Sequence, residues 1–287
     1  MIYHIPKRKN QYKQKYTKDK DVLMNRPPYI TITNACNLSC GGCSQLCGNF
    51  NKDQIWFISL DQLKKNIEIV SKFINKKIWI FGGEPTLHPK FEEIKNILYS
   101  YSDCEFIIFT NGRLHKNIKL EIKNDKIGGF VNEKNNVKFL IDFKTEYGKN
   151  GMPTKMFNPT LVAPIDILKI KNKKYYWEEA KKHCICWNKC GTTIYNDKAY
   201  ICEVAPAFDQ LSGECNGWDV KKGENPFDKT NEEIAKQAEN FCYRCAAGFS
   251  EDENIIPYQK ISDGYFVSCE NLKLIKNSKL KNIPYKK

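Results

Sequence analysis

The stretch "CNLSCGGCSQLC", residues 36–47, places four cysteines within twelve positions. It directly follows "YITITN", residues 29–34, whose β-branched and aromatic residues predict a strand. Three of the thiols, Cys36, Cys40 and Cys43, form a CxxxCxxC pattern on the loop after that strand. This spacing is typical of a metal site, and by itself it leaves both zinc and an iron–sulfur cluster open.

The length and composition indicate a soluble, cytoplasmic protein. The 287 residues can form one medium domain and a smaller unit. No apolar run approaches the roughly 18–20 residues of a membrane span, and the basic N-terminus lacks the apolar core of a secretory signal. In a reducing compartment, the 13 cysteines are expected to ligate metal rather than to form disulfides.

The positive charge does not predict a nucleic-acid partner. The formal net charge is +13, but only four of the 46 basic residues are arginine, the residue best suited to bidentate phosphate and base contacts. Basic residues also crowd the two ends of the chain, where solvated tails explain them. An anionic small-molecule substrate stays open.

Strands and helices alternate through the first half of the chain, which predicts an α/β fold around a parallel sheet, in the form of a barrel or partial barrel. Predicted strands cover residues 29–34, 77–83, 104–112 and 137–144, and predicted helices cover 59–74, 90–101 and 114–124. After about residue 170 the pattern changes to a short helix (175–182), a hairpin turning at Asn196-Asp197 and a helix (230–245). We therefore divide the chain into a lead-in (1–25), a main domain (26–170), a small α+β domain (171–250) and a C-terminal extension (251–287).

Two further motifs follow the next predicted strands. "FGGEP" occupies residues 81–85, and "TNG" occupies residues 110–112. With CxxxCxxC, in this order and on these strand ends, the sequence resembles the radical S-adenosylmethionine (SAM) superfamily. The combination argues against a structural zinc site.

The resemblance implies a partial (β/α)6 TIM-like barrel and a [4Fe-4S] cluster held by Cys36, Cys40 and Cys43. The fourth iron would then bind the amino and carboxylate groups of SAM. Gly82 and Gly83 would let the backbone approach the SAM amino group, and Glu84 would accept a hydrogen bond from it and hold the strand end. The resemblance also places Thr110 and Asn111 at the cofactor site. One position departs from the family pattern, because Gly42 stands where an aromatic residue usually precedes the third cysteine.

Two other cysteines of this half are assigned no metal. Cys47 would close the cluster against SAM if it were a fourth ligand, and we interpret it as a packing thiol. Cys104 begins a predicted strand and is expected in the core.

A second group of cysteines lies in the small domain. A cysteine before the hairpin, Cys202 after it, and a distant CxxC at Cys242 and Cys245 resemble the twitch domain, a shortened SPASM extension that holds an auxiliary [4Fe-4S] cluster. In the family pattern, Asp197 stands where a glycine belongs, and aspartate also tolerates positive φ. The first ligand is assigned to Cys186, with Cys190 and Cys184 as alternates. Zinc is the alternative metal for this group of cysteines.

The resemblance implies that a 5′-deoxyadenosyl radical abstracts hydrogen from the substrate. Twitch-containing relatives include an aminocyclitol dehydrogenase, so we expect a carbohydrate- or aminocyclitol-like substrate and either a dehydrogenase or an epimerase. Arg113 and Lys144 are the candidate catalytic residues, and flavodoxin or ferredoxin is the expected reductant. Two alternatives remain: a radical SAM enzyme that modifies a ribosomally made peptide, and a non-catalytic zinc or iron–sulfur protein.

Overall fold

The computed structural model describes residues 23, 26–37, 44–47, 50–112, 136–141 and 191–242, together with the backbone of five further strands. Four α-helices are described within them: α1 (Leu60–Phe73), α2 (Phe91–Ser100), α3 (Ala205–Ser212) and α4 (Asn231–Phe241).

Eight of the described strands form one sheet in the order β10-β9-β8-β1-β2-β3-β5-β4. Their bounds are β1 (Tyr29–Thr31), β2 (Lys77–Phe81), β3 (Glu105–Thr110), β4 (Gly129–Lys134), β5 (Val137–Ile141), β8 (Thr193–Tyr195), β9 (Lys198–Tyr200) and β10 (Trp218–Asp219). Two separate hairpins pair β6 (Thr145–Tyr147) with β7 (Pro153–Met156), and β11 (Gln259–Ile261) with β12 (Tyr265–Val267).

The centre of the sheet is parallel, as the alternation of strands and helices predicts. β1 pairs in parallel with β2, β2 with β3, and β3 with β5. β4 adds an antiparallel edge that the sequence did not predict. The carboxyl ends of parallel strands share one edge of a sheet, so the segments that follow β1, β2 and β3 meet there.

The predicted helices form for the reasons the sequence indicates. Ser59 caps α1 by accepting a hydrogen bond from the main chain of Gln62 at 3.1 Å. The apolar face of α1, including Leu63 and Ile67, is buried in the same core as Ile78 and Ile80 of β2. In α4, Thr230 and Glu233 form a capping box, and Thr230 is the N-cap residue.

The predicted hairpin is present, and it joins the main sheet. β8 and β9 pair across the turn at Asn196-Asp197, and β8 also pairs in parallel with β1. The left-handed residue of the turn is Asn196 (φ 56°), not Asp197. The turn therefore needs a left-handed backbone at Asn196 rather than at Asp197, and asparagine tolerates the left-handed region well.

Several sequence predictions fall outside the described residues. These are the helices at 114–124 and 175–182 and the domain boundary near residue 170. α3 is described but was not predicted from the sequence. No helix within the described parts of the chain has the length and apolar character needed to cross a membrane.

Candidate active site

The chain leaving β1 runs beside the GGEP segment. The amide of Ile32 donates to the carbonyl of Phe81 at 2.9 Å, and the amide of Gly83 donates to Thr33 at 2.9 Å. The amide of Glu84 then donates to the carbonyl of Ala35 at 2.7 Å. The main chain is thus fixed up to the residue before Cys36.

The two glycines of this segment are required by the close approach of two backbones. A Cβ atom at Gly82 would lie 2.5 Å from the carbonyl oxygen of Thr33, and one at Gly83 would lie 2.2 Å from that of Ala35. Both distances are too short for any side chain. The family resemblance implies that these glycines let the backbone approach the SAM amino group; in the structure they admit the chain that leads into Cys36.

Glu84 is completely buried and joins the ends of β2 and β3. Its Oε1 accepts hydrogen bonds from the hydroxyls of Thr86 (2.6 Å) and Thr110 (2.7 Å) and from the Thr86 amide (3.2 Å). Its Oε2 accepts from the amide of Asn111 at 2.7 Å. Burial raises the pKa of this carboxyl group, and the four hydrogen bonds act in the opposite direction. Glu84 therefore holds the ends of β2 and β3 together.

Asn111 extends this connection to the cysteine loop. Its side-chain amide donates to Oδ1 of Asn37 at 2.8 Å, and Asn37 directly follows Cys36. A chain of hydrogen bonds therefore runs from GGEP through the end of β3 to the residue next to the first cysteine. Asn37 was not singled out from the sequence, although its position beside Cys36 marks it as part of the loop.

Cys36 is the one proposed cluster ligand of the cysteine loop among the described residues. The thiol of Cys36 is partly exposed and lies at the carboxyl edge of the parallel strands, where barrel enzymes build their sites. Cys40 and Cys43 lie outside the described residues. Consequently, no three histidine, cysteine or acidic side chains come together as a metal site among the described residues.

Cys47 and Cys104 behave as the sequence predicts. Cys47 is buried, and Cys104 is 3% exposed within the main core. Neither thiol lies open to solvent, which agrees with their assignment as packing residues.

Cys202 and Cys242 follow two elements that pack together. Cys202 comes after β9 and Cys242 caps the end of α4. Gln237 of α4 accepts a hydrogen bond from the amide of Ile201 at 2.8 Å and donates to the carbonyl of Ala199 at 3.3 Å. The helix is therefore fastened to the strand end next to Cys202.

Aromatic packing continues this contact. The rings of Tyr200 and Phe241, which stand close to the two cysteines in sequence, have centroids 6.1 Å apart. Both cysteines are partly buried against the main core. The other proposed ligands of this group, Cys184, Cys186, Cys190 and Cys245, lie outside the described residues. So do the candidate catalytic side chains of Arg113 and Lys144.

One carboxyl group near this region was missed from the sequence. Burial raises the pKa of Glu203, the residue after Cys202, to about 7, and its hydrogen bond with Tyr29 acts in the opposite direction. Tyr29 belongs to β1, so this contact links the hairpin segment to the first strand.

Comparison with known proteins identifies the family. The Radical SAM superfamily matches residues 30–184, which is more than half of the chain. The protein belongs to the radical SAM superfamily. The matched range contains the cysteine loop, GGEP and TNG.

Curated relatives align over a shorter stretch. A probable GTP 3′,8-cyclase of Sulfolobus acidocaldarius is 33% identical over 95 residues, covering 33% of this chain and 29% of that protein. The GTP 3′,8-cyclase of Helicobacter pylori is 30% identical over 96 residues, covering 33% and 30%. A probable GTP 3′,8-cyclase of Methanocaldococcus jannaschii is 32% identical over 107 residues, covering 37% and 35%. The chain thus spans about a third of the length of the curated relatives it matches.

Among solved structures, the crystal structure of BtrN in complex with AdoMet and 2-DOIA is similar to this chain with a TM-score of 0.44. The sequence identity is 13%, and the match covers 81% of this chain and 98% of the other.

Proposed function

We propose that this radical SAM protein cleaves SAM reductively and abstracts hydrogen from a carbohydrate- or aminocyclitol-like substrate, as a dehydrogenase or epimerase. The observation that carries the SAM-cleaving part is the hydrogen-bonded chain Asn37–Asn111–Glu84 beside the two glycines. It joins all three motifs that the family places around SAM.

The residues of this chain have defined tasks in the proposal. Cys36, Cys40 and Cys43 hold a [4Fe-4S] cluster, which supplies the electron that cleaves SAM when it is bound. Glu84 keeps the GGEP and TNG strand ends together, so the main chain that faces the cofactor is preorganised.

The second cysteine group is proposed to hold an auxiliary [4Fe-4S] cluster in a twitch-type domain. Cys186, Cys202, Cys242 and Cys245 are the proposed ligands, and Cys190 and Cys184 are the alternates for Cys186. The packing of Tyr200 against Phe241 supports this set, because it brings together the ends of β9 and α4. An auxiliary cluster would accept the second electron when the substrate is oxidised.

The substrate class rests on the resemblance of the chain to twitch-containing enzymes, and the catalytic roles of Arg113 and Lys144 rest on their positions after β3 and β5. Neutral Lys144 would take the hydroxyl proton of a carbinol radical, which is more acidic than the parent alcohol, whereas Arg113 stays protonated and would interact with the substrate as a cation. A flavodoxin or ferredoxin is the proposed reductant.

The first experiment is anaerobic reconstitution with iron and sulfide, followed by dithionite and SAM. The proposal predicts about eight irons per chain and formation of 5′-deoxyadenosine, because each of two four-iron clusters contributes four irons. The Cys36→Ala variant should lose 5′-deoxyadenosine formation. Bound zinc, or fewer than four irons per chain without SAM cleavage, would rule out the enzymatic proposal.

The second experiment separates the two cysteine groups. Cys202→Ala and Cys242→Ala should each lower the iron content towards four per chain and abolish net product, while part of the SAM cleavage remains. Cys215→Ser, at an exposed thiol, is the matched control. Unchanged iron content in both variants would refute the auxiliary cluster.

The third experiment addresses the substrate. An aminocyclitol, a nucleotide sugar and GTP are offered separately to the reconstituted enzyme in deuterated and ordinary form. Transfer of substrate deuterium to 5′-deoxyadenosine from the aminocyclitol or sugar supports the proposal. Transfer from GTP alone would contradict it and align the chain with the activity named for its curated relatives.

A further inference from the structure

The segment after Cys202 contacts the cysteine loop on both of its flanks. Before the loop, Asn34 donates from Nδ2 to Oε1 of Gln210 at 3.3 Å. After the loop, Gln45 donates from Nε2 to the carbonyl oxygen of Glu203 at 2.6 Å. Gln45 lies two residues beyond Cys43, and Asn34 lies two residues before Cys36.

The Asn34 side chain is 2% exposed and makes two further hydrogen bonds. Its Nδ2 also donates to the carbonyl of Gln54 at 2.9 Å, and its Oδ1 accepts from the amide of Trp56 at 2.9 Å. With these partners on different segments, the side chain has little freedom, so the main chain entering the cysteine loop is held in one position.

On the side of the loop that precedes Cys36, Gln210 of α3 makes hydrogen bonds to three residues. Its Nε2 donates to the carbonyl of Gln54 at 3.2 Å, and its Oε1 accepts from the hydroxyl of Tyr195 as well as from Asn34. The same hydroxyl accepts from the indole N–H of Trp56. A partly buried polar network of this kind fixes geometry because each member loses a partner if it moves.

Apolar packing connects the same two segments, the cysteine loop and the residues after Cys202. Leu46 and Phe50, on the return arm of the cysteine loop, belong to one buried cluster with Val204 and Phe208. The return arm therefore packs on the segment that follows the hairpin, and this packing adds to the two polar contacts.

We infer that Gln45 and Gln210 are positioning residues that hold the SAM-cluster loop through the segment 203–210. This inference needs only the SAM cluster of the superfamily. Its extension, that occupation of Cys202 by an auxiliary cluster tightens SAM binding, rests on the proposed function.

The test uses reconstituted full-length protein and SAM itself as the probe. Gln45→Ala and Gln210→Ala should each weaken SAM binding about 3- to 10-fold, because one or two hydrogen bonds that orient the loop are lost. The variants should also broaden or shift the electron paramagnetic resonance spectrum of the reduced cluster with SAM, a change that a general loss of stability would not cause.

Two isosteric variants distinguish the individual contacts. Gln45→Glu should behave like Gln45→Ala, because a carboxylate cannot donate to the Glu203 carbonyl. Gln210→Glu should lose less SAM affinity than Gln210→Ala, because its oxygens still accept from Tyr195 and Asn34, although the donation to Gln54 is lost and a carboxylate oxygen then faces that carbonyl. Gln62→Ala, on α1, is the control, since Gln62 contacts Asn66 rather than the loop.

The outcomes are decisive in either direction. Unchanged SAM affinity and spectra in both alanine variants would overturn the inference, as would a Gln45→Glu variant that matches wild type. If Gln45→Ala fails to fold, the contrast between Gln210→Glu and Gln210→Ala decides the question. Absence of the auxiliary cluster would refute the extension and the proposed ligand set, but the Gln45 and Gln210 effects would persist.

Discussion

The side chains of Asn37 and Asn111 meet at 2.8 Å, and this single contact joins the cysteine loop to the end of β3. Asn111 also donates its main-chain amide to Glu84, so one residue connects all three motifs. Since the two asparagines are 74 positions apart, the contact closes a long segment of chain at the site.

Removing either partner of this contact should weaken SAM binding. Asn37→Ala and Asn111→Ala each delete the same hydrogen bond, and we expect each to cost about 0.5–1.5 kcal/mol of SAM affinity. The double variant should lose less SAM affinity than the sum of the two single losses, because the bond that the two side chains share can be lost only once. Titration of each reconstituted protein with SAM measures the four affinities of this double-mutant cycle. Asn75→Ala, outside the site, is the control, and strictly additive losses would contradict the assignment.

Glu84 should tolerate no neutral isostere. In Glu84→Gln the amide nitrogen must face a main-chain N–H, either that of Thr86 or that of Asn111. We expect a loss of about 1–3 kcal/mol in the free energy of unfolding, the usual cost of an unsatisfied buried polar group. Urea denaturation of the cluster-free protein measures this loss independently of SAM.

The exposed Glu239 on α4 gives the matched comparison for this variant. Glu239→Gln should change the free energy of unfolding by less than about 0.5 kcal/mol. Equal losses in the free energy of unfolding for the two substitutions would show that the four hydrogen bonds of Glu84 do not stabilise the fold.

A methyl group at Gly83 should displace the chain leading to Cys36. The Cβ would lie 2.2 Å from the Ala35 carbonyl, so Gly83→Ala should destabilise the fold by about 1–3 kcal/mol or more and lower the iron content after reconstitution. Gly223→Ala meets no atom within 4 Å but keeps a positive φ of 83°, and it should lose stability without losing iron. Iron loss in both variants, or in neither, would refute the steric explanation.

Much of the fold follows from local sequence signals. Ser59 and the spacing of Leu63 and Ile67 specify α1 because capping and burial act on neighbouring residues. The CxxxCxxC, GGEP and TNG motifs likewise locate the three strand ends that build the site.

The contacts between distant segments could not be predicted in this way. The pairing of β8 with β1, the bond from Asn37 to Asn111 and the bond from Gln45 to Glu203 depend on how the chain closes in space. Each involves ordinary polar or β-branched residues whose partners no local pattern specifies.

His88 should make the stability of the protein depend on pH. Its Nε2 lies 2.9 Å from the carbonyl of Ile58 and its Nδ1 accepts the Lys90 amide at 3.1 Å, so the buried ring is neutral with the proton on Nε2. Burial lowers its pKa below the ordinary value of 6.5. Between that lowered pKa and pH 6.5 the unfolded chain binds more protons at this position, so the free energy of unfolding falls as pH falls.

His88→Gln removes this titration and should remove its share of the pH dependence. At pH 7.5 we expect the variant to be less stable than wild type by about 1–2 kcal/mol, because it loses the paired hydrogen bonds of the ring. At pH 5.5 the difference should shrink, since only the wild type is penalised by proton binding to its unfolded state. Urea denaturation of both proteins at the two pH values measures the change. A difference that stays constant or grows towards pH 5.5 would contradict the neutral, buried state of His88.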